Sequence, residues 1–303
     1  MNPTALASIL VNIIAPIVLV AAVGYILGRA FDLDARSLSR LTLYFFTPAL
    51  TFASAYRSEL GQEFFAIAAF AFLITLLMGI VTLAMILLRG YDRNKASAFA
   101  LSVLFVNAGN YGLPLILYAF GQEALALAVI FFTASTVLIQ TLAVFIAARG
   151  TASATAAVTN VFKMPLVYAV VLGLVFNEIG FTVPDPIMKS VDLVAGAAVP
   201  VMIAILGIEL SRATLQQDRF DISLAAVAKL VITPLLAFGL AAWMGMSGIP
   251  RAVCILEASM PTAVMSSILA VEFKSRPEFV TGTVLVTTLG SIVSLTLLLG
   301  ILR

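Results

Sequence analysis

The chain of 303 residues is 62% apolar and only 11% charged, with a mean hydropathy of +1.13. Soluble domains hold roughly 45–50% apolar and about 25% charged residues, so this composition belongs to a multi-spanning membrane protein. A formal charge of +2 gives no sign of a nucleic-acid partner. The absence of histidine excludes imidazole relays and histidine metal ligands, and one cysteine, Cys254, excludes an internal disulfide framework.

A membrane helix needs about 20 mostly apolar residues. Ten such spans are predicted in chain order, at 6–28, 37–56, 63–88, 95–119, 123–147, 157–177, 187–210, 221–244, 249–272 and 277–301. The first apolar run lacks a basic region followed by a small-residue cleavage site and reads as a retained span. The connections are short and polar, such as Arg89-Gly-Tyr-Asp-Arg-Asn-Lys95. Alternate loops carry Lys and Arg unequally: twelve on one side, from Arg29 to Arg276, against Arg57, Lys189, Arg251 and Arg303 on the other. The basic side is cytoplasmic by the positive-inside rule, which expects both termini outside a cytoplasmic (inner) membrane.

With ten spans, the two halves of five enter the membrane from opposite sides. The prolines repeat accordingly: Pro16 with Pro165, Pro48 with Pro200 and Pro114 with Pro261, at offsets of 149, 152 and 147 residues. Spans 5 and 10 align at an offset of 155, matching Thr133 with Thr288. The expected fold is an all-α polytopic protein of two inverted five-helix repeats, 1–150 and 151–303.

Two stretches carry the chemistry. In span 4, Val106-Asn-Ala-Gly-Asn-Tyr-Gly-Leu-Pro-Leu115 puts two glycines, a proline and two amides into an apolar segment. Its counterpart in span 9 is Leu256-Glu-Ala-Ser-Met-Pro-Thr262. Proline lacks an amide proton and frees a carbonyl one turn earlier, so both helices are expected to break. Facing breaks offer helix N-termini to a carboxylate, and freed carbonyls to a cation. The expected substrate site is Asn107, Gly109, Asn110, Tyr111, Gly112, Pro114, Met260, Pro261 and Thr262. Intramembrane acids usually face a cavity, so Glu257 is the expected seat of a coupling ion, sodium or a proton. The alternatives for Glu257 are snorkelling at the span's outer end or pairing with Arg251. Span 5 adds Thr133, Ser135, Thr136 and Gln140. Lys229 is expected to snorkel to the cytoplasmic face on its long stem. Glu209 has Arg212 within one helical turn. Phe64-Phe65 and Phe131-Phe132 are expected to pack or face lipid.

Asn107-Ala-Gly-Asn-Tyr-Gly-Leu-Pro114 together with Glu257-Ala-Ser-Met-Pro-Thr-Ala263 resembles the auxin efflux carrier family, which includes the plant PIN carriers and bacterial organic-anion transporters. Tyr44-Phe-Phe-Thr-Pro-Ala-Leu-Thr-Phe52 and Lys229-Leu-Val-Ile-Thr-Pro234 are similar to the family's other recurring stretches. The resemblance implies that spans 4 and 9 cross at their breaks. It implies a scaffold of spans 1, 2, 6 and 7, a transport domain of spans 3–5 and 8–10, and a homodimer. The fold is shared with bile acid/sodium symporters, which makes Glu257, Asn107 and Ser135 counterparts of a sodium site, with Thr136 and Gln140 beside them. The expected activity is secondary transport of a small organic anion with no cofactor; the coupling mode stays open between sodium, a proton and none, because plant PIN carriers are thought not to need a coupling ion. A passive channel or a non-transporting sensor is the rival reading. No nucleophile–base or metal constellation suggests an enzyme.

Overall fold

The computed structural model describes residues 3–31, 33–57, 63–147, 162–213 and 218–303. Arg149, Gln216 and the start of the sixth predicted span lie outside them. The described chain is helical throughout, apart from one isolated bridge. The helices are α1 (Pro3–Ala30), α2 (35–57), α3 (Glu63–Arg89), α4 (Arg93–Leu104), α5 (108–120), α6 (Gln122–Ala147), α7 (Pro165–Glu178), α8 (Asp185–Arg212), α9 (Arg219–Trp243), α10 (Gly248–Ala258), α11 (Val264–Glu272) and α12 (Pro277–Leu302). Six of these, α1, α3, α6, α8, α9 and α12, are long and apolar enough to cross a membrane. The protein is thus an all-helical, multi-pass membrane protein.

Starts and interruptions follow local chemistry. Asp34 opens α2 by accepting from the amides of Arg36 and Ser37, and Asp92 opens α4 by accepting from those of Asn94 and Lys95, both at 2.8 Å. Among the described residues five helices carry a wide π turn, at Leu10–Ile14, Thr42–Phe46, Ala108–Gly112, Ile139–Ala143 and Ala228–Ile232. All but the one in α6 lie just ahead of a proline: Pro16, Pro48, Pro114 or Pro234. A proline ring clashes with the carbonyl four residues back, and the wider turn makes room for it.

The helices pack in two sets. In one, α8 lies along α1 and α2, and α7 lies against α2. The α1–α8 crossing depends on missing side chains. A Cβ on Gly24 would strike the Ala204 carbonyl oxygen, and one on Gly207 would strike that of Ala21. Such small residues let membrane helices approach backbone to backbone. At one end of this set Arg57 forks onto Asp192 at 2.7 Å, and the Asn177 amide donates to the Tyr56 carbonyl at 2.6 Å. The other set holds α3 to α6 and α9 to α12. Its basic end is tied by Lys95, which meets Asp221 at 2.5 Å and Asp218 at 3.0 Å, while Arg276 also meets Asp218 at 3.0 Å. The π turn of α5 is where the second set touches α8.

Candidate substrate site at the helix breaks

α4 ends at Leu104, and α10 ends at Ala258. The extended residues that follow each helix pair with one another. Val106 and Thr262 form an antiparallel bridge, with the Asn107 amide donating to the Pro261 carbonyl at 2.8 Å and the Ala263 amide to the Phe105 carbonyl at 3.0 Å. Extended backbone in an apolar span would otherwise leave amides and carbonyls unsatisfied; here each break supplies the other.

The freed end of α4 is closed in the same way. Its last carbonyls lack intrahelical donors. Ser266 Oγ donates to the Leu101 carbonyl at 2.8 Å, Thr262 Oγ1 to that of Ser102 at 2.7 Å, and Lys229 Nζ to that of Val103 at 2.9 Å. The Thr262 amide in turn donates to Thr287 Oγ1 of α12 at 3.1 Å. Lys229 therefore does not snorkel. It is completely buried, and its ammonium lies at the C-terminal end of α4, where cations are favoured.

A cavity of about 90 Å³ opens beside the bridge. Asn107, Gly109, Asn110, Ser135, Thr136 and Gln140 line it. The structure thus brings together the amides of the first break and the polar face of α6. α2 adds Ser39, Thr42 and Thr47, and α8 adds Met202 and Ile205. The first residues of α5 (Ala108 to Asn110) and of α11 (Val264, Met265) also border it, so two helix N-termini converge there. Their leading amides have no acceptor within their own helices, and each end carries about half an elementary positive charge. Asn107 is almost fully buried, and its Nδ2 has no acceptor among the described residues. An unpartnered buried donor is costly unless something occupies the space beside it.

The remaining expected site residues lie behind this wall. Tyr111 is buried in the apolar core and meets Ser291 of α12; Pro114 and Met260 are buried too. Pro261 contributes its carbonyl to the bridge, and Thr262 is spent on Ser102 and α12. Glu257 is completely buried, does not border the cavity, and has no partner for either carboxylate oxygen among the described residues. It does not snorkel, and Arg251 lies over the Phe238 ring instead. Its carboxylate is packed against Gly112: a Cβ there would collide with Oε2 and come within 2.7 Å of Oε1 and Cδ.

Sequence reasoning singled out neither the apolar wall residues, such as Met202 and Ile205, nor four others. Ser39, Thr42 and Thr47 come from α2, where only the Thr47-Pro48 pair gave a signal. Phe132, expected only to pack or face lipid, lines the cavity with its ring against Gly109, whose Cβ would lie 2.7 Å from the ring. Phe65 is exposed and Phe131 buried. Thr133 and Thr136 donate back to the Val129 and Phe132 carbonyls of their own helix.

A second cavity of about 1190 Å³ lies at the opposite ends of the same helices. Leu50 and Arg57 of α2, Leu117 of α5, Glu123 of α6, and Asp192 and Ile203 of α8 are among the residues that border it.

The chain matches known proteins over most of its length. The sequence model of the family described as membrane transport protein matches residues 9–161 and 152–299. An "Uncharacterized transporter" of Methanothermobacter thermautotrophicus is 28% identical over 93% of this chain and 94% of its own length. One from Methanocaldococcus jannaschii is 25% identical over 94% and 96%. A protein of Rhizobium meliloti named "Putative malonate transporter" is 26% identical over 92% of each chain. The chain belongs to the auxin efflux carrier-like family of membrane transport proteins.

Proposed function

We propose that the protein is a secondary transporter of a small organic anion, working by alternating access as two inverted five-helix repeats whose fourth and ninth spans cross at their breaks. The observation that carries the reading is a small cavity with no charged side chain in its wall, placed where two helix N-termini and the unpartnered Asn107 amide converge. Broken helices meeting in mid-span are a recurring way of building transporter sites. The relative named as a malonate transporter supports an organic acid as cargo.

On this reading, α1, α2, α7 and α8 form the scaffold of a homodimer, and the other helices move as a transport unit. The ion ties at the ends of each set support two bodies that keep their internal packing. The small cavity faces the cytoplasm and the large one faces outward, since α2 and α8 reach the small one near their Arg36 and Arg212 ends. Glu257 takes the coupling ion, sodium or a proton, and its protonation or occupancy is felt at the site through Gly112, the last residue of the π turn.

Counterflow of labelled organic acids into proteoliposomes, with and without a sodium or proton gradient, tests the reading. Saturable exchange that falls in Asn110→Ala and loses its ion dependence in Glu257→Gln is expected. Non-saturating uptake without exchange would point to a channel. Parental rates and ion dependence in both folded variants would overturn the site assignment.

A further inference from the structure

We propose that the cavity accepts its substrate as a monoanion: a monocarboxylate, or a dicarboxylate only while one carboxyl keeps its proton. The proposal rests on the carboxylate reading above and names the charge state that the same site takes.

Its basis is a count of charge around the cavity. All wall residues are neutral, and the polar ones supply amides and hydroxyls. The positive potential comes from two helix N-termini, about half a charge each, which together match about one carboxylate. Lys229 is not part of the wall; it donates to the neutral Val103 carbonyl and keeps its charge, which the equally buried carboxylate of Glu257, also outside the wall, offsets.

The other charged groups on the bordering helices give a second carboxylate no partner within the cavity. On α8, Glu209 follows the wall residue Ile205 by one helical turn and brings no positive charge, and Arg212 beyond it donates to the Leu33 carbonyl. On α2, Arg36 and Arg40 are exposed. α6 has no charged residue between Phe132 and Gln140, and on α11 Glu272 is at the far end. Glu257 of α10, behind Gly112, can only add negative charge. A second ionised carboxyl would thus be desolvated without a counter-charge, a cost that protonation removes.

The malonate-named relative supplies a convenient probe, because its dicarboxylate has a monoanionic counterpart of nearly the same length, monomethyl malonate. The full chain in proteoliposomes would be assayed by counterflow with malonate, monomethyl malonate and propionate, from about pH 5 to about pH 8. The expected result is a half-saturating concentration for malonate that rises about tenfold per pH unit above its second ionisation. Monomethyl malonate and propionate should stay nearly flat across the series, which separates titration of the ligand from titration of the protein. Malonate that saturates equally well across the range, or better than its ester at the alkaline end, would overturn the monoanion proposal and leave the carboxylate transporter standing. Failure of all three acids to give saturable exchange would overturn both.

Discussion

Gly112 offers the sharpest test of how the first break is built. A methyl group placed there would overlap Glu257 Oε2 and lie 2.7 Å from both Oε1 and Cδ, well inside van der Waals contact. The carboxylate is fully buried, and the contact is made inside a π turn that also touches α8. Neither side has open space to yield, so Gly112→Ala should cost about 1–3 kcal/mol through overpacking. On a chain of this size that is a fall of about 2–10 °C in the apparent unfolding midpoint. Transport should fall as well, because the displaced turn carries Asn110. The same argument predicts a specific rescue. Glu257→Ala removes the colliding atoms, so the double variant should be less destabilised than the sum of the two single changes, by about 1 kcal/mol or more. Glu257→Gln keeps a planar group of nearly the same size in the same place and should give no such relief. Fluorescence-monitored melting of the purified proteins, with counterflow on the same samples, reads both effects. A Gly112→Ala protein that melts at the parental temperature, or a strictly additive double variant, would refute the packing argument.

Other expectations follow from the same geometry. Asn107→Ala should weaken substrate binding by about tenfold or more, since a hydrogen bond to a charged acceptor is worth about 1.5–3 kcal/mol; ligand-induced thermal shifts measure this. Gln140→Lys places a cation in the wall and should flatten the rise of the malonate half-saturation with pH, read by the same counterflow series. Thr262→Val and Ser266→Ala leave the Ser102 and Leu101 carbonyls without their donors, at about 1–3 kcal/mol each, and should be less than additive because both act on one helix end. The Lys95 amide, helped by that of Asn94 and by the Arg276 charge, holds the Asp92 carboxyl below its ordinary 3.8. This group is depressed in the folded state, so its contribution is complete above about pH 4 and is lost as pH falls further. Melting of the parent and Asp92→Asn between about pH 3 and about pH 6 should converge at the acid end.

Much of the fold is legible in the sequence because its causes are local. Hydropathy over about 20 residues marks a span whatever it packs against. Pro261 follows the end of α10 by three residues, and Asp34 and Asp92 accept from amides two and three residues further on. The second break could therefore be placed from its proline, and Asn107 and Asn110 could be singled out as polar groups in an apolar setting; the first break, at 105–107, falls well ahead of Pro114, which a π turn holds inside α5. Family membership followed from the same two stretches.

The distribution of roles among those residues was decided by tertiary structure. Lys229 and Val103 are 126 residues apart, and no periodicity reports that the ammonium closes the end of α4 instead of reaching for water. Glu257 and Asn107 belong to breaks that meet, yet one faces Gly112 and the other the cavity, because the antiparallel bridge fixes which side of each break turns inward. Ser39, Thr42 and Thr47 became wall residues only through the docking of α2 beside α6 and α8. A sequence specifies where a helix must stop and which groups will need partners; the crossing of two such helices decides which partners they find.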